Sequence, residues 1–308
     1  MKGLRIVRAG LLTTVQDLGR WGHQAAGVPV AGPMDAYSHR LANRLVGNPD
    51  EAAALEVTLV GPELEAIGEV VCALAGAEFE LIAGDRAVPG GRAFVLRSGT
   101  RLRFGRRHAG ARATLAVRGG VDVPPVAGSR ASSLVARMGP FGGRPLAPGD
   151  LLPVGPAADA GTSAHAAFSL PLPHGGARLR AIPGPQDRMF PLDALETFFT
   201  QRFIVTSRSN RMGYRLEGTP VIHAGGADIL SEATPMGSVQ VPGEGQPILL
   251  MADRQTTGGY PKIATVISAD LPLAGQLAPG DWIQFVRCTR ADAQEALLRQ
   301  ERMLAGRT

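Results

Sequence analysis

Short strand-like runs bounded by Gly, Pro or Asp recur along the whole sequence, and this spacing constrains the fold more than any other feature. Such runs are typical of barrels and sandwiches rather than of a doubly wound sheet. The 40 glycines and 24 prolines agree with this interpretation, because many turns are needed between short strands. The runs that we predict as strands are Leu4–Arg8, Leu55–Val60, Val70–Ala75, Phe79–Ala83, Ala93–Arg97, Ala113–Val117, Arg178–Ile182, Phe203–Thr206, Pro247–Ala252, Lys262–Ser268 and Trp282–Val286.

Helical periodicity is limited to a few segments. We predict helices at Met34–Val46, Leu192–Phe199 and Arg290–Ala305. In the last of these, Ala293, Leu297 and Leu304 are predicted to form the buried stripe. The sequence therefore predicts a mainly β protein with a few short helices.

A short repeat points to two related halves. The pentapeptide Leu146-Ala-Pro-Gly-Asp150 recurs as Leu277-Ala-Pro-Gly-Asp281, each time before an apolar run. Five residues can match by chance, but two related barrels that close with the same turn would also show this match. A segment rich in Ala, Gly, Ser, Pro and His separates the two copies. We predict a first β-barrel half at residues 1–155, a linker at 156–177 and a second half at 178–308.

The composition excludes several classes of protein. The net charge of +5 is dispersed and aromatic residues make up only 5% of the chain, which does not favour a nucleic-acid platform. Two cysteines cannot build a disulfide scaffold or a four-cysteine zinc site, and the six histidines lack metal-ligand spacing. No apolar run is long enough to span a membrane and no signal peptide is recognisable. We therefore expect a cytoplasmic protein that needs neither a metal, a membrane nor a nucleic acid.

Common catalytic motifs are absent as well. The sequence lacks a Walker A motif, a Gly-x-Gly-x-x-Gly turn after a strand, a Gly-x-Ser-x-Gly elbow and a His-Glu-x-x-His pair. A biotin-carrier site needs a Met-Lys pair in a hairpin turn, and the only such pair is Met1-Lys2. The chain is therefore not expected to carry biotin itself.

The segment Asp253–Lys262 is the densest cluster of polar residues between two apolar runs. Gly258 and Gly259 can turn main-chain N–H groups towards an anion, and Arg254 can bind a carboxylate with its fork. Lys262 is one of only two lysines beside 30 arginines, which indicates a role that Arg cannot fill. We expect its ammonium near Arg254, Gln255 and Tyr260 in an open cleft; the alternative is a loop whose polar side chains cap one another. The predicted catalytic residues are Asp253, Arg254, Gln255, Tyr260 and Lys262.

A second polar segment surrounds Gly19 after the first predicted strand. Gln16, Asp17 and Arg20 are candidates for substrate binding there, although an Asp–Arg pair that fastens a long loop is an equally good interpretation. Other segments of this kind include 118–120, 128–130, 207–215 and the tight turn at 184–186. Further predicted substrate-binding residues are Gly258, Gly259, Arg118, Arg130, Arg211 and Gln240.

Together these segments resemble the carboxyltransferase subdomain A/B family, also called the allophanate hydrolase subunit 2 family. The resemblance covers residues 10 to about 287, essentially the whole chain. Two small departures, an Ala after the Ser of GSRAS and Asn210 where Asp is frequent, concern only fine substrate preference. The matching stretches are GLLTTVQDLGR, GPMD, ANRLVGNP, RGGVDVP, GSR, IPGPQ, SNRMGYRLEG, GSVQVPGEGQPILLMADRQTTGGYPKIATVISADL and PGDWIQF.

The resemblance implies a fold of two cyclophilin-like β-barrels and a site that is completed by a partner of the subdomain C/D family. It implies one subunit of an ATP-dependent 5-oxoprolinase, which opens 5-oxo-L-proline to L-glutamate with a third, lactam-hydrolase subunit. ATP would then be bound mainly by the partner subunits, and the chain would be inactive alone. Two alternatives stay open: a biotin-dependent carboxyltransferase component like that of urea amidolyase, and a regulatory protein that binds a sporulation kinase inhibitor. A free-standing chain without a biotin carrier favours the first or the last of these three.

Overall fold

The computed structural model describes residues 2–157 and 169–306. Its helices are α1 (Ala36–Leu45), α2 (Leu192–Thr200), α3 (Leu271–Gly275) and α4 (Arg290–Leu304). Its strands are β1 (Gly3–Arg8), β2 (Leu12–Gln16), β3 (Ala54–Thr58), β4 (Glu63–Ile67), β5 (Val70–Ala83), β6 (Arg86–Val88), β7 (Ala93–Leu96), β8 (Arg101–Val117), β9 (Leu151–Pro153), β10 (Gly176–Pro183), β11 (Phe203–Val205), β12 (Gly213–Glu217), β13 (Glu232–Ala233), β14 (Ser238–Gln240), β15 (Ile248–Leu250), β16 (Thr257–Gly258), β17 (Lys262–Val266) and β18 (Trp282–Arg287). The prediction of a mainly β protein with a few short helices is confirmed.

The chain forms two compact units. The sheet unit contains the described residues of Met1–Trp21, Ala31–Leu172 and Met303–Thr308, and the barrel unit contains Gly22–Val30 and Pro173–Arg302. The predicted linker at 156–177 lies partly outside the described residues.

The sheet unit is built on a nine-stranded sheet in which β2, β3, β8, β4, β1 and β9 are successive neighbours. The long strand β5 pairs with β6, β7 and β8. The sequence predicted two strands, Val70–Ala75 and Phe79–Ala83, where the structure has one, because register shifts near Gly76 let β5 bend without ending. Buried aliphatic side chains such as Leu4, Leu55 and Leu102 fill the core.

Helix α1 packs on this sheet with Tyr37 and Leu41 buried. It begins after Asp35, whose carboxylate accepts a hydrogen bond from the main-chain N–H of Ser38 at 2.8 Å. This N-cap satisfies one of the main-chain donors that the first turn leaves free.

The barrel unit is a closed seven-stranded barrel in the order β10, β17, β14, β15, β12, β11 and β18. Its strands pair antiparallel except β10 and β18, which are parallel. Phe198 of α2 stacks on Phe285 of β18 with ring centroids 4.6 Å apart, and Phe203 of β11 joins this aromatic cluster. A separate two-stranded sheet of β13 and β16 lies in the same unit.

The two copies of the repeated pentapeptide form the same turn, once in each unit. In 146–150 and in 277–281 the Asp carboxylate accepts a hydrogen bond from the main-chain N–H of the Ala, at 2.7 and 2.8 Å. The glycine of each turn is left-handed, with φ of +93° at Gly149 and +94° at Gly280. The turns lead directly into β9 and β18. The two copies therefore share the same local turn structure, and a relation between the two halves stays a prediction.

The predicted buried stripe on the last helix is wrong. Leu304 is buried, but Leu297 is 38% exposed and Ala293 only half-buried. Six of its 15 residues are charged, and the apolar spacing alone predicted more burial than the structure shows. Within residues 2–157 and 169–306, no helix is both long and apolar enough to cross a bilayer.

Candidate functional site

A cleft of about 200 Å³ opens on the outer surface of the barrel. Its floor is formed by β12, β15 and β14, on which Arg215, Ile248 and Gln240 are cross-strand neighbours in one row. The segments at 208–212 and 255–260 form its walls. The cleft therefore brings together three separate polar stretches of the sequence. It is lined by Arg208, Asn210, Met212, Gly213, Arg215, Gln240, Ile248, Leu250, Gln255 and Tyr260.

Two glutamine amides meet inside the cleft. The Nε2 of Gln255 donates a hydrogen bond to the Oε1 of Gln240 at 3.2 Å, and the Nε2 of Gln240 reaches the main-chain oxygen of Tyr260 at 3.4 Å. Gln240 is buried and the ring of Tyr260 is 42% exposed. An amide group has two donors and two acceptor positions, so this pair retains capacity to bind a further amide.

Arg211 and Asp253 form a buried ion pair beside the cleft. The guanidinium contacts the carboxylate through two bonds, Nε to Oδ2 at 3.0 Å and Nη2 to Oδ1 at 3.1 Å. Their side chains are 3% and 1% exposed. Both residues were predicted to act on substrate, but in this structure they fasten the wall at 208–212 to the end of β15.

Arg254 is also buried and serves the main chain. Its Nε donates to the oxygen of Thr234 at 2.7 Å, and its Nη1 lies 3.5 Å from the oxygen of Met251. Burial lowers the pKa of this guanidinium, and the nearby carboxylate of Asp253 raises it in part. Arg254 does not line the cleft.

The two consecutive glycines do not adopt the left-handed conformation. Gly258 belongs to β16 and pairs with Glu232. A Cβ atom on Gly258 would lie 2.6 Å from the Nε2 of Gln240, so a larger residue here would displace the Gln240 amide. The main-chain oxygen of Gly259 accepts a hydrogen bond from Ile229. That either main-chain N–H group binds substrate stays a prediction.

Lys262 lies under a carboxylate instead of in an open cleft. Its side chain is 4% exposed and its Nζ pairs with the Oε1 of Glu232, which is 43% exposed. Gln186 bridges the pair: it donates to the same Oε1 at 2.7 Å and accepts from the main-chain N–H of Lys262 at 3.1 Å. The hydrogen bonds from Lys262 and Gln186 hold the pKa of Glu232 below its usual range. The carboxylate of Glu232 is therefore exposed to solvent, whereas the ammonium of Lys262 beneath it is buried. Lys262 does not line the cleft that contains Gln255 and Tyr260.

The predicted residues near the N-terminus all contact one loop of the sheet unit. The carboxylate of Asp17 accepts hydrogen bonds from the hydroxyl of Ser129 at 2.6 Å and from the main-chain N–H of Arg130. The guanidinium of Arg20 donates to the main-chain oxygens of Val126 and Ala131, both at 2.8 Å. The loop at 126–132 is therefore held in place by side chains buried beneath it, which supports the interpretation of residues that fasten a long loop.

Gln16 contacts this loop as well, because its Nε2 donates to the oxygen of Ser132 at 3.0 Å. Arg130 binds the oxygen of Val123 at 2.6 Å and the carboxylate of Asp122 at 3.1 Å. Arg118 follows β8, and its main-chain N–H donates to Val71. Roles of these residues in substrate binding stay predictions.

Three charged residues at or near the candidate site were not predicted from the sequence. Arg208 and Arg215 line the cleft within a segment that was recognised as polar, but nothing in the sequence separates them from the other 28 arginines. Glu232 lies in no recognisable motif, and it contacts Lys262 only because the fold brings these two distant residues together. Among the residues that the structure describes, no group of three or more His, Cys, Asp or Glu side chains could hold a metal ion.

The sequence profile of the carboxyltransferase domain, subdomain A and B, matches residues 26–287. The chain belongs to this family. It is 42% identical to the C subunit of the 5-oxoprolinase of Escherichia coli over 97% of this chain and 96% of that protein. It is 35% identical to the C subunit of the 5-oxoprolinase of Haemophilus influenzae over 94% of this chain and 92% of that protein.

A solved structure shows the same fold. The crystal structure of the Kluyveromyces lactis urea carboxylase is similar over 99% of this chain, with a TM-score of 0.94 and 32% identity. This chain corresponds to 29% of that much longer protein. The resemblance inferred from the polar segments of the sequence is thereby confirmed.

Proposed function

We propose that this chain is one subunit of an ATP-dependent 5-oxoprolinase, which opens the lactam of 5-oxo-L-proline to L-glutamate. The observation that carries the proposal is the 42% identity to a 5-oxoprolinase C subunit over nearly the full length of both proteins. The cleft on the barrel supports it, because two amide side chains lie beside Ile248 in a volume suited to a small ring.

The reaction needs a site that binds an amide and stabilises negative charge. Hydrolysis breaks the C–N bond of the ring, and water supplies the oxygen of the new carboxylate and the protons of the new amine. An amide is a poor electrophile, so hydrolysis of ATP to ADP and phosphate drives the opening. Hydrogen-bond donors aimed at the developing oxyanion typically contribute a factor of roughly 100 to 1,000 in turnover. In this proposal Gln240 and Gln255 bind the amide, since both line the cleft and their amide groups meet there.

The chain acts with partners in this proposal. Its relatives are described as subunits, and the sequence lacks a Walker A motif. We expect a subunit of the subdomain C/D family and a third, lactam-hydrolase subunit, and we expect ATP to be bound mainly by these partners. The chain alone should therefore be inactive.

Co-expression with the products of the neighbouring genes tests the proposal. The assembled complex should hydrolyse ATP only when 5-oxo-L-proline is added, and the purified single chain should not. Strong 5-oxoproline-dependent ATP hydrolysis by the single chain would contradict the expected need for partners, and its absence from every assembly would contradict the function.

One alternative has its own support. The structural similarity to a urea carboxylase, at a TM-score of 0.94, favours a biotin-dependent carboxyltransferase component. ATP hydrolysis that depends on urea and on a biotinylated carrier protein, and not on 5-oxo-L-proline, would support it.

A further inference from the structure

The cleft on the barrel carries positive charge and no carboxylate. Its lining includes Arg208 and Arg215, both exposed, and contains no Asp or Glu. Neither guanidinium is hydrogen-bonded or ion-paired to another of the described residues. Arg180 and Arg211 of the same unit, in contrast, are paired with carboxylates, Arg180 with Asp270 at 2.6 Å and Arg211 with Asp253 at 3.0 Å. Two unpaired guanidinium groups on the wall and floor of one cleft favour an anionic ligand.

Hydrogen bonds fix the main chain that carries both arginines. Arg215 lies on β12, and its main-chain N–H donates to the hydroxyl of Ser209 at 3.0 Å. The side chain of Asn210 accepts a hydrogen bond from the main-chain N–H of Met212 at 2.8 Å. These bonds fix the hairpin that carries Arg208, and the buried ion pair at its base anchors it further. Binding of a ligand would therefore have to order the two arginine side chains but not the main chain that carries them.

The order of groups along the floor indicates which part of a ligand lies where. Arg215, Ile248 and Gln240 are neighbours on three adjacent strands. Adjacent strands are separated by about 4.8 Å, so the outer two positions are about 10 Å apart. A charged group, an apolar surface and an amide therefore follow one another across the cleft. A small ring that carries both a carboxylate and an amide can contact the two ends of this row, because the side chains of Arg and Gln are long enough to bridge part of that distance.

We infer that Arg208 and Arg215 bind the carboxylate of the substrate while Gln240 and Gln255 bind its ring amide. The inference rests on the proposed function, because 5-oxo-L-proline is a cyclic amide that bears a carboxylate. It deepens that function by assigning substrate specificity to two residues outside the buried pair. Arg211 is less suited to this role, since its buried guanidinium is paired with Asp253.

Steady-state kinetics of the assembled complex test the inference. Arg208→Gln and Arg215→Gln should each raise the KM for 5-oxo-L-proline about tenfold, and the double variant about a hundredfold, because a charged hydrogen bond is lost each time. The value of kcat should fall much less. Arg208→Lys and Arg215→Lys should retain more affinity than the Gln variants, since Lys keeps the positive charge and loses only the two-pronged hydrogen bonding of the guanidinium group. Arg299→Gln, a change of the same kind on exposed helix α4, is the matched control.

A substrate analogue separates loss of carboxylate binding from general damage. 2-Pyrrolidone has the same lactam ring and no carboxylate, so the two arginine variants should lose their preference for 5-oxo-L-proline over this compound by at least about tenfold. An unchanged KM and an unchanged preference in the double variant would overturn the inference while leaving the proposed function intact.

Failure of the proposed function has a different signature, namely a wild-type complex with no 5-oxoproline-dependent turnover. Isothermal titration of that complex with 5-oxo-L-proline then decides the inference. Binding that the double variant abolishes and Arg299→Gln retains would support it. No binding, or equal binding by the double variant, would overturn it.

Discussion

The side chains of Arg211 and Asp253 are almost completely buried, so each charge is stabilised by the opposite charge of its partner. Burial of an ion pair contributes little net stability, but removal of one partner leaves an uncompensated charge in an apolar environment. The wall of the cleft is therefore sensitive to these two residues even though neither lines it. Sensitivity of activity to their mutation would reflect positioning rather than contact with substrate.

We predict that Arg211→Met lowers the free energy of unfolding by about 3–5 kcal/mol, because it leaves the carboxylate of Asp253 buried and unpaired. The double variant Arg211→Met/Asp253→Leu should recover part of that loss, since neither member of the pair then remains charged, although buried Arg254 loses its nearby carboxylate. Urea denaturation monitored by circular dichroism measures both values. A double variant no more stable than the single one would contradict the explanation.

A buried histidine gives a prediction about pH. His39 of α1 is 1% exposed, and burial lowers its pKa to about 4, although the charges of Asp17 and Asp50 oppose the shift. The folded state therefore resists protonation, while the unfolded state takes up a proton below about pH 6.5. The contribution of His39 to the free energy of unfolding is fully present above pH 6.5 and is lost as the pH falls towards 4.

The pKa difference of about 2.5 units corresponds to about 3 kcal/mol. Between pH 6.5 and 4, the free energy of unfolding of the His39→Gln variant should therefore fall by about 3 kcal/mol less than that of the wild type. Denaturant titrations at several pH values measure it, and His174→Gln, at an exposed site, controls for removal of an imidazole. Parallel pH profiles for His39→Gln and wild type would show that His39 does not cause the decline.

At the scale of elements, the repeated turn shows how backbone conformation selects residues. Gly149 and Gly280 are left-handed, and a Cβ atom at either position would meet no atom within 4 Å. The requirement for glycine at these turns therefore comes from the dihedral angle and not from crowding. The carboxylate of the Asp that follows each glycine accepts a hydrogen bond from the main-chain N–H of the Ala near the start of the turn.

We predict that Gly280→Ala lowers the free energy of unfolding by about 1–2 kcal/mol, the usual penalty for a left-handed alanine. Gly225→Ala is the control, because that glycine is also surrounded by open space but is not left-handed. The control should be neutral or slightly stabilising, since it reduces the entropy of the unfolded chain. Equal effects of the two changes would contradict an explanation based on φ.

The elements also show what the sequence could predict. Strands such as β10, β17 and β18 were recognised because each is an apolar or alternating run bounded by turn residues. Strands β12 and β14 were missed because they are short and interrupted by Gly, Arg or Gln, whose positions depend on pairing with distant strands. The predicted helix at Arg290–Ala305 exists, but its burial was wrong because exposure is set by what packs against the helix.

On the scale of the whole molecule, the segments that form the candidate site were predictable and their roles were not. The stretches around Gln255, Gln240 and Arg211 were all recognised as polar, and the fold brings them together at one cleft. Lys262 was selected for its rarity, yet its ammonium is covered by Glu232, 30 residues away in sequence. Contacts of this range depend on the strand order, which local patterns do not specify.

The central claim is that this chain completes a 5-oxoprolinase. The most direct test reconstitutes the complex from purified subunits, with and without this chain, and measures L-glutamate and ADP formed from 5-oxo-L-proline and ATP. We predict that both products appear together only when all the subunits are present, and that neither appears with this chain alone. Equal formation of glutamate in the presence and absence of this chain would contradict the account.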